Sequence, residues 1–270
     1  MLLENKIALV TGAGRGWGRS ICRALAIEGA TVVAVARTQA ELEQTAWLVQ
    51  REGGRLEIKR VDIEKQDEIL TLGEKILAKF GRLDVLVNNA AQLPLKAFEE
   101  MTMEEFEGVL RVNLYAPLLL CKLFLPVMKQ HGSGSIINVS SNAGIIGFEL
   151  ESAYCTSKFA LEGFSKSLAL EVQKYNISVN TITPGGFRAG VRIKPTNLTQ
   201  EEYGLLSAEE QKQWVDSIVM SEAFVYLACQ DGRGVTGQRI LAYELSEQIR
   251  REGWKIQPSY EAVDRRNLKL

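Results

Sequence analysis

Apolar runs of five to seven residues alternate with longer stretches of helical spacing over the first 182 positions of the chain. The runs Lys6–Thr11, Thr31–Ala36, Arg55–Val61, Leu83–Val87, Ser135–Val139 and Ile177–Ile182 read as strands, buried where the run is continuous. Between them the spacing predicts helices over about Arg19–Glu28, Gln39–Glu52, Lys65–Phe80, Thr102–Gln130 and Tyr154–Lys174. Gly29-Ala30 stops the first of these and Pro117 is expected to bend the fourth. Such alternation, with both faces covered, builds an α/β fold around a doubly wound parallel sheet. No repeat, low-complexity stretch or linker interrupts it, so one domain is expected over residues 1–243.

Two stretches depart from the pattern. Residues 185–207 contain Gly190, Pro195 and Gly204 and follow the Ile177–Ile182 strand. Ligands bind at that edge of such sheets, so a lid is expected there. After a last strand, Gln238–Ala242, comes an extension, 244–270, with a helical segment Glu244–Glu252. It either docks on its own subunit or a neighbour, as Trp254 and Tyr260 suit, or ends loosely.

With 270 residues and 46% hydrophobic content, the chain has ample material for one large core. A net charge of −1 gives no reason to bind nucleic acid or an anionic membrane. Cys22, Cys121, Cys155 and Cys229 form no C-x-x-C pair, which fits reduced thiols in a cytoplasmic protein. His131 is the only histidine, which excludes a His-based metal site and a Ser-His-Asp triad; no metal is expected. The N-terminus lacks a secretory apolar stretch, and no apolar run reads as long enough to span a membrane.

Candidate chemistry begins at Gly12-Ala13-Gly14-Arg15-Gly16-Trp17-Gly18, directly after the first strand. Without Cβ atoms the backbone can turn sharply and approach a pyrophosphate, while the next helix start offers free N–H groups and a favourable dipole. The spacing Gly12-x-x-x-Gly16-x-Gly18 departs from G-x-G-x-x-G but serves the same end. At the end of the second strand an acidic residue would accept hydrogen bonds from an adenosine ribose. This chain has Ala36 and Arg37 there, with Arg15 in the glycine loop. Two guanidiniums and no carboxylate suit a 2′-phosphate, so NADP(H) is expected rather than NAD(H).

Tyr154 and Lys158 stand one helical turn apart. An ammonium near a phenol favours the phenolate and lowers a pKa that is ordinarily about 10, which lets Tyr154 pass a proton at neutral pH. Ser141, just past the fifth strand, offers a hydroxyl to hold the same substrate oxygen.

Assembled, these residues resemble the short-chain dehydrogenase/reductase family over about residues 5–242. The resemblance rests on Thr11-Gly12-x-x-x-Gly16-x-Gly18, Asp62, Asn88-Asn89-Ala90, Asn113, Ser141, Tyr154-x-x-x-Lys158 and Pro184-Gly185, in that order. It implies a Rossmann sheet of about seven strands and an NAD(P)-linked carbonyl–alcohol reaction. By the same resemblance Asp62 meets the adenine, Asn89 and Ala90 border the adenosine side, and Pro184 and Gly185 lie beside the nicotinamide. Lys158 also holds the nicotinamide ribose, Tyr154 is the general acid/base, and Asn113 holds a water that links Lys158 to solvent. A homodimer or homotetramer is implied, with Leu118-Leu119-Leu120, Phe124 and Phe159 suited to its interface.

Three departures from the family pattern fall at Ala91, where Gly is frequent, at Ala189, where Thr is usual, and at Ala242-Tyr243-Glu244, which replaces Asp-Gly-Gly. The substrate end therefore differs from the common form. A small carbonyl or alcohol is expected, partly apolar, since Gln92, Leu93, Leu95, Ile145, Phe148, Leu150 and Phe187 fall where the family's pockets form. A 3-oxoacyl-thioester (acyl carrier protein) reductase is the alternative, which Arg188, Arg192 and Lys194 would suit. From another class, a non-catalytic nucleotide-binding sensor keeps the fold without the reaction.

Overall fold

Side chains at successive strand positions point to opposite faces, so a strand with helices on both sides must be apolar throughout. The computed structural model describes residues 1–184, 192–193, 207, 209 and 214–256. In it the apolar runs become β1 (Ile7–Thr11), β2 (Thr31–Ala36), β3 (Arg55–Arg60), β4 (Val85–Asn88), β5 (Gly134–Val139) and β6 (Ile177–Thr183). Two short strands, β7 (Arg192–Ile193) and β8 (Trp214–Val215), pair with each other, and β9 (Arg239–Leu241) completes the main sheet. That sheet has seven strands in the order β3-β2-β1-β4-β5-β6-β9, and every adjacent pair is parallel.

Among the described residues the α-helices include α1 (Gly16–Ile27), α2 (Gln39–Arg51), α3 (Gln66–Phe80), α4 (Met103–Leu110), α5 (Ala116–His131), α6 (Ser152–Val172), α7 (Ser221–Ala228) and α8 (Ala242–Glu252). Ala8 and Val10 of β1 join a core with α1, α2, α7 and α8, while Leu9 joins the opposite core with α3, α5 and α6. Strand order reverses between β1 and β4, and such a crevice at the carboxyl ends is where ligands sit in open α/β sheets.

The fourth helix is not a simple bent rod. Met103–His131 runs continuously, but Arg111–Tyr115 is a wide π turn and Pro117 comes just after it, in the first turn of α5. Pro117 has no N–H for the carbonyl of Asn113, and widened turns of this kind are frequent at functional positions. At 29 residues this helix is also long and apolar enough to cross a membrane by length and composition, against the sequence reading. Half of its most apolar window is buried inside the protein, with Leu120 and Phe124 packed against the sheet. Of the residues that suit either a subunit interface or the core, Leu120 and Phe124 face the core, whereas Phe159 is 47% exposed.

The start of the extension docks on the same chain. Leu245 and Ile249 of α8 enter the core, Ser246 Oγ accepts from Ala223 N at 3.0 Å, and Ile256 O accepts from the Tyr226 hydroxyl at 3.1 Å. Tyr260 lies outside the described residues. Deleting residues 243–270 is expected to cost about 3–6 kcal/mol of stability, from about 1.5–3 kcal/mol for each of Leu245 and Ile249. Urea unfolding checks this; an unchanged midpoint would show that α8 adds nothing to the core.

Candidate active site

The glycine loop is shaped by close approach. Gly12 has φ +66°, and a Cβ on it would lie 2.8 Å from Ala90 Cα. On Gly18 a Cβ would lie 2.0 Å from the Gly12 carbonyl oxygen, so α1 and the end of β1 touch through backbone alone. Thr11 Oγ1 accepts from Asn89 N (3.0 Å) and Ala90 N (3.1 Å), and Asn89 Nδ2 donates to Thr11 O at 2.9 Å. These bonds lock β1 to the segment after β4. Thr45 of α2 holds the loop from the other side, donating to Ala13 O at 2.9 Å, and Arg19 donates to Gly14 O. No side chain caps the start of α1, which leaves its first N–H groups open to an anion.

From this loop a single cleft of about 480 Å³ runs past Arg37, Asp62, Asn89 and Ala90 to Ser141, Tyr154, Lys158 and Pro184. Ligand sites commonly have volumes of roughly 300–1,000 Å³. Gly12, Arg15, Trp17 and Gly18 line its first end; Trp17 is mostly buried and stacks edge-on against Phe224 at 5.6 Å, fixing α1 to α7. Gly16 turns the loop at φ +51° without lining the cleft. Asp62 Oδ1 accepts from Glu64 N at 3.2 Å, which closes the turn after β3. Gly185, Phe187, Arg188, Ala189, Lys194 and most of the expected lid fall outside the described residues.

The first end carries a carboxylate that the sequence reading did not place there. Glu41, in the first turn of α2, lines the cleft and pairs with Arg15 at 3.7 Å. Its position four residues after Arg37, on a helix that begins at the loop, is the signal that was available.

At the other end β5 stops at Val139, and Ser141 opens a short turn, Asn142–Gly144, in which its Oγ accepts from Ala143 N at 3.2 Å. Tyr154 and Lys158 come from the first turns of α6. Burial pushes the Tyr154 phenol up to about 12, opposed by a hydrogen bond with Ser141 and assisted by Glu151. Burial also pulls the Lys158 ammonium down to about 8, against the pull of Glu162. Lys158 Nζ donates to Val139 O at 2.8 Å and stands 5.4 Å from the centre of the Tyr154 ring. Burial thus dominates both groups, and one of the three N–H bonds of the ammonium goes to a backbone carbonyl.

Asn113 lies in the π turn and bonds on two sides. Its Nδ2 donates to Gln92 O (2.9 Å) and Ser157 Oγ (3.1 Å), and its Oδ1 accepts from Gln92 N at 2.8 Å. Both amide hydrogens are taken, so the side chain braces the segment after β4 against α6. Beneath the site Asn88 Nδ2 donates to Asn138 Oδ1 and Asn138 Nδ2 to Ser165 Oγ, each at 2.8 Å, joining β4, β5 and α6.

The family model described as short chain dehydrogenase matches residues 6–198. An uncharacterized oxidoreductase of Thermotoga maritima is 34% identical over 245 residues, 89% of this chain and 96% of the relative. The 3-oxoacyl-[acyl-carrier-protein] reductase FabG of the same organism is 30% identical over 246 residues, covering 89% of this chain and 97% of the relative. Among solved structures, a metagenomic short-chain oxidoreductase in complex with NADP superposes with a TM-score of 0.75 at 30% identity, over 89% of this chain and 97% of that one.

Proposed function

The chain belongs to the short chain dehydrogenase family, an NAD(P)-dependent oxidoreductase acting on CH–OH groups, and from that premise we propose that it interconverts a carbonyl compound and an alcohol with NADP(H). One observation carries the reading: Ser141, Tyr154 and Lys158 line one end of the same cleft whose other end is the glycine loop. The residues fit a dinucleotide, because the cradle at Gly12 and Gly18 is one that any Cβ would fill.

Gly12 and Gly18 would hold the pyrophosphate on the loop that Gly16 turns, Asp62, Asn89 and Ala90 the adenosine, and Pro184 with Gly185 the nicotinamide. When bound, the nicotinamide supplies or accepts the hydride. Ser141 donates a hydrogen bond to the substrate oxygen as charge grows on it, and Tyr154 delivers the proton there. Burial keeps the phenol protonated, the form that donates in reduction. Lys158 places a positive charge behind the phenol and would reach the ribose.

For the cofactor, Arg15 and Arg37 support a 2′-phosphate, while Glu41 opposes it. Arg37→Ala is expected to weaken NADPH binding about tenfold and NADH binding less than twofold, from loss of a charge-assisted contact. Glu41→Gln should move NADPH the other way. Fluorescence titration with both nucleotides checks this; equal losses for the two would remove the 2′-phosphate reading.

A 3-oxoacyl-thioester reductase is the second reading, supported by the Thermotoga maritima relative of that name. A non-catalytic nucleotide sensor has less support, since all three groups needed for proton transfer are in place. We further propose a cytoplasmic homodimer or homotetramer, a small-molecule substrate, no nucleic-acid or membrane partner, and an extension, 244–270, beyond the catalytic unit 1–243. A carbonyl and alcohol panel with both nucleotides tests the whole reading; nucleotide binding with no turnover on any member would favour the sensor.

A further inference from the structure

Glu162 and Arg239 form an ion pair almost closed to solvent, with side-chain exposures of 5% and 11%, and neither lines the cofactor cleft. Buried charges are costly and persist where their polar atoms find partners. Here they do. Arg239 Nε donates to Glu162 Oε1 at 3.2 Å, and its Nη2 donates to Ser141 O at 3.1 Å and to Asn142 Oδ1 at 3.2 Å. Glu162 Oε2 accepts from Thr181 Oγ1 at 2.8 Å. One guanidinium on β9 thus grips both α6 and the turn that carries Ser141, and the carboxylate adds β6.

The location is specific. Glu162 lies one helical turn beyond Lys158, which lies one turn beyond Tyr154, so the three share a face of α6. The turn is pressed onto that face: a Cβ on Gly144 would come 2.9 Å from Ser140 Oγ and 3.0 Å from Glu162 Cγ. The peptide that follows Ser141 is therefore held to the helix that supplies the phenol, by bonds that lie outside the cleft.

We propose that Arg239 and Glu162 are positioning residues that set the Ser141 hydroxyl against the Tyr154 phenol, so that both meet one substrate oxygen. The inference rests on the reading of Ser141 and Tyr154 given above. A planar guanidinium can serve three acceptors in fixed directions, which a lysine ammonium on its flexible stem does not reproduce.

The test uses the full chain, NADPH and the best carbonyl substrate from the panel. The double variant Arg239→Met/Glu162→Met removes both charges together and leaves no lone buried ion. It is expected to bind NADPH within about twofold of the parent, yet to lose roughly 10- to 100-fold in kcat, the scale of a displaced catalytic group. Ser141→Ala should cost the parent about 100-fold but the double variant less than about threefold, because the hydroxyl is already out of place. Arg239→Lys should recover only part of kcat. A double variant with parental kcat, or an equal Ser141→Ala loss in both backgrounds, overturns the positioning role. Should the double variant not fold, the same cycle on Arg239→Lys decides it by the same criterion of additivity. Tyr154→Phe run alongside separates the causes: unchanged turnover there would defeat the reading of the site itself, whereas a normal Tyr154 loss with additive Arg239 effects defeats the positioning role alone.

Discussion

Tyr154→Phe is expected to lower kcat by roughly 10²–10⁴-fold, the span usual for a lost general acid, and to leave NADPH affinity within about twofold. Phenylalanine keeps the ring and its packing and removes only the hydroxyl, so the change isolates proton transfer. The phenol lines the cleft together with Ser141, with Lys158 one turn along α6. Its pKa of about 12 keeps it protonated through neutral pH, and Lys158 at about 8 loses its charge first as pH rises. The sign follows from these two values. Reduction needs the protonated phenol and gains from the ammonium, so it is strongest below the Lys158 value and declines above it. Oxidation needs the phenol to give up its proton and gains with pH. Steady-state rates in both directions, with nucleotide titration by fluorescence, check both statements; a Phe variant that turns over at the parental rate would remove Tyr154 from the mechanism.

Gly18→Ala carries the second large effect, at the opposite end of the cleft. The added methyl would sit 2.0 Å from the Gly12 carbonyl oxygen and 2.6 Å from its carbon, and the third neighbour is Asn89 Nδ2 at 2.8 Å. Two of these are backbone atoms, so the methyl cannot be accommodated by a rotamer change; either α1 or the glycine loop must move. Overpacking of this kind costs about 1–3 kcal/mol of stability, and the moved atoms are those proposed to meet the pyrophosphate. NADPH affinity is expected to fall at least about 100-fold, equivalent to about 2.7 kcal/mol. Gly163→Ala is the control, since a Cβ there meets nothing within 4 Å. Calorimetric titration of the two variants decides it: Gly18→Ala binding at parental affinity would show that the loop is not the phosphate cradle.

Much of this architecture could be read from the chain because parallel strands covered on both faces are continuous apolar runs. Thr31–Ala36 was expected as a strand and forms β2 over those same residues. The parallel sheet of about seven strands was expected, while the strand order and the reversal between β1 and β4 came with the structure. The long fourth helix was legible as a helix but not as one with a π turn at Arg111–Tyr115, because a shift in backbone bonding leaves no periodic trace. Glu41 lies beyond the strand end where a ribose-binding carboxylate is expected, and α2 brings it back to the same cleft as Arg37.

By itself, then, the sequence determined the strands and the glycine loop and singled out Ser141, Tyr154 and Lys158, which line one cleft, because each depends on residue type at a local spacing or on backbone that only glycine permits. Tertiary structure alone decided how those groups are charged and held. Burial raises Tyr154 and lowers Lys158, Asn113 spends its amide on Gln92 and Ser157, and Arg239 reaches Glu162 across 77 positions to grip Ser141. Those outcomes depend on desolvation and on partners distant in the chain, and neither is a property of any local pattern of residues.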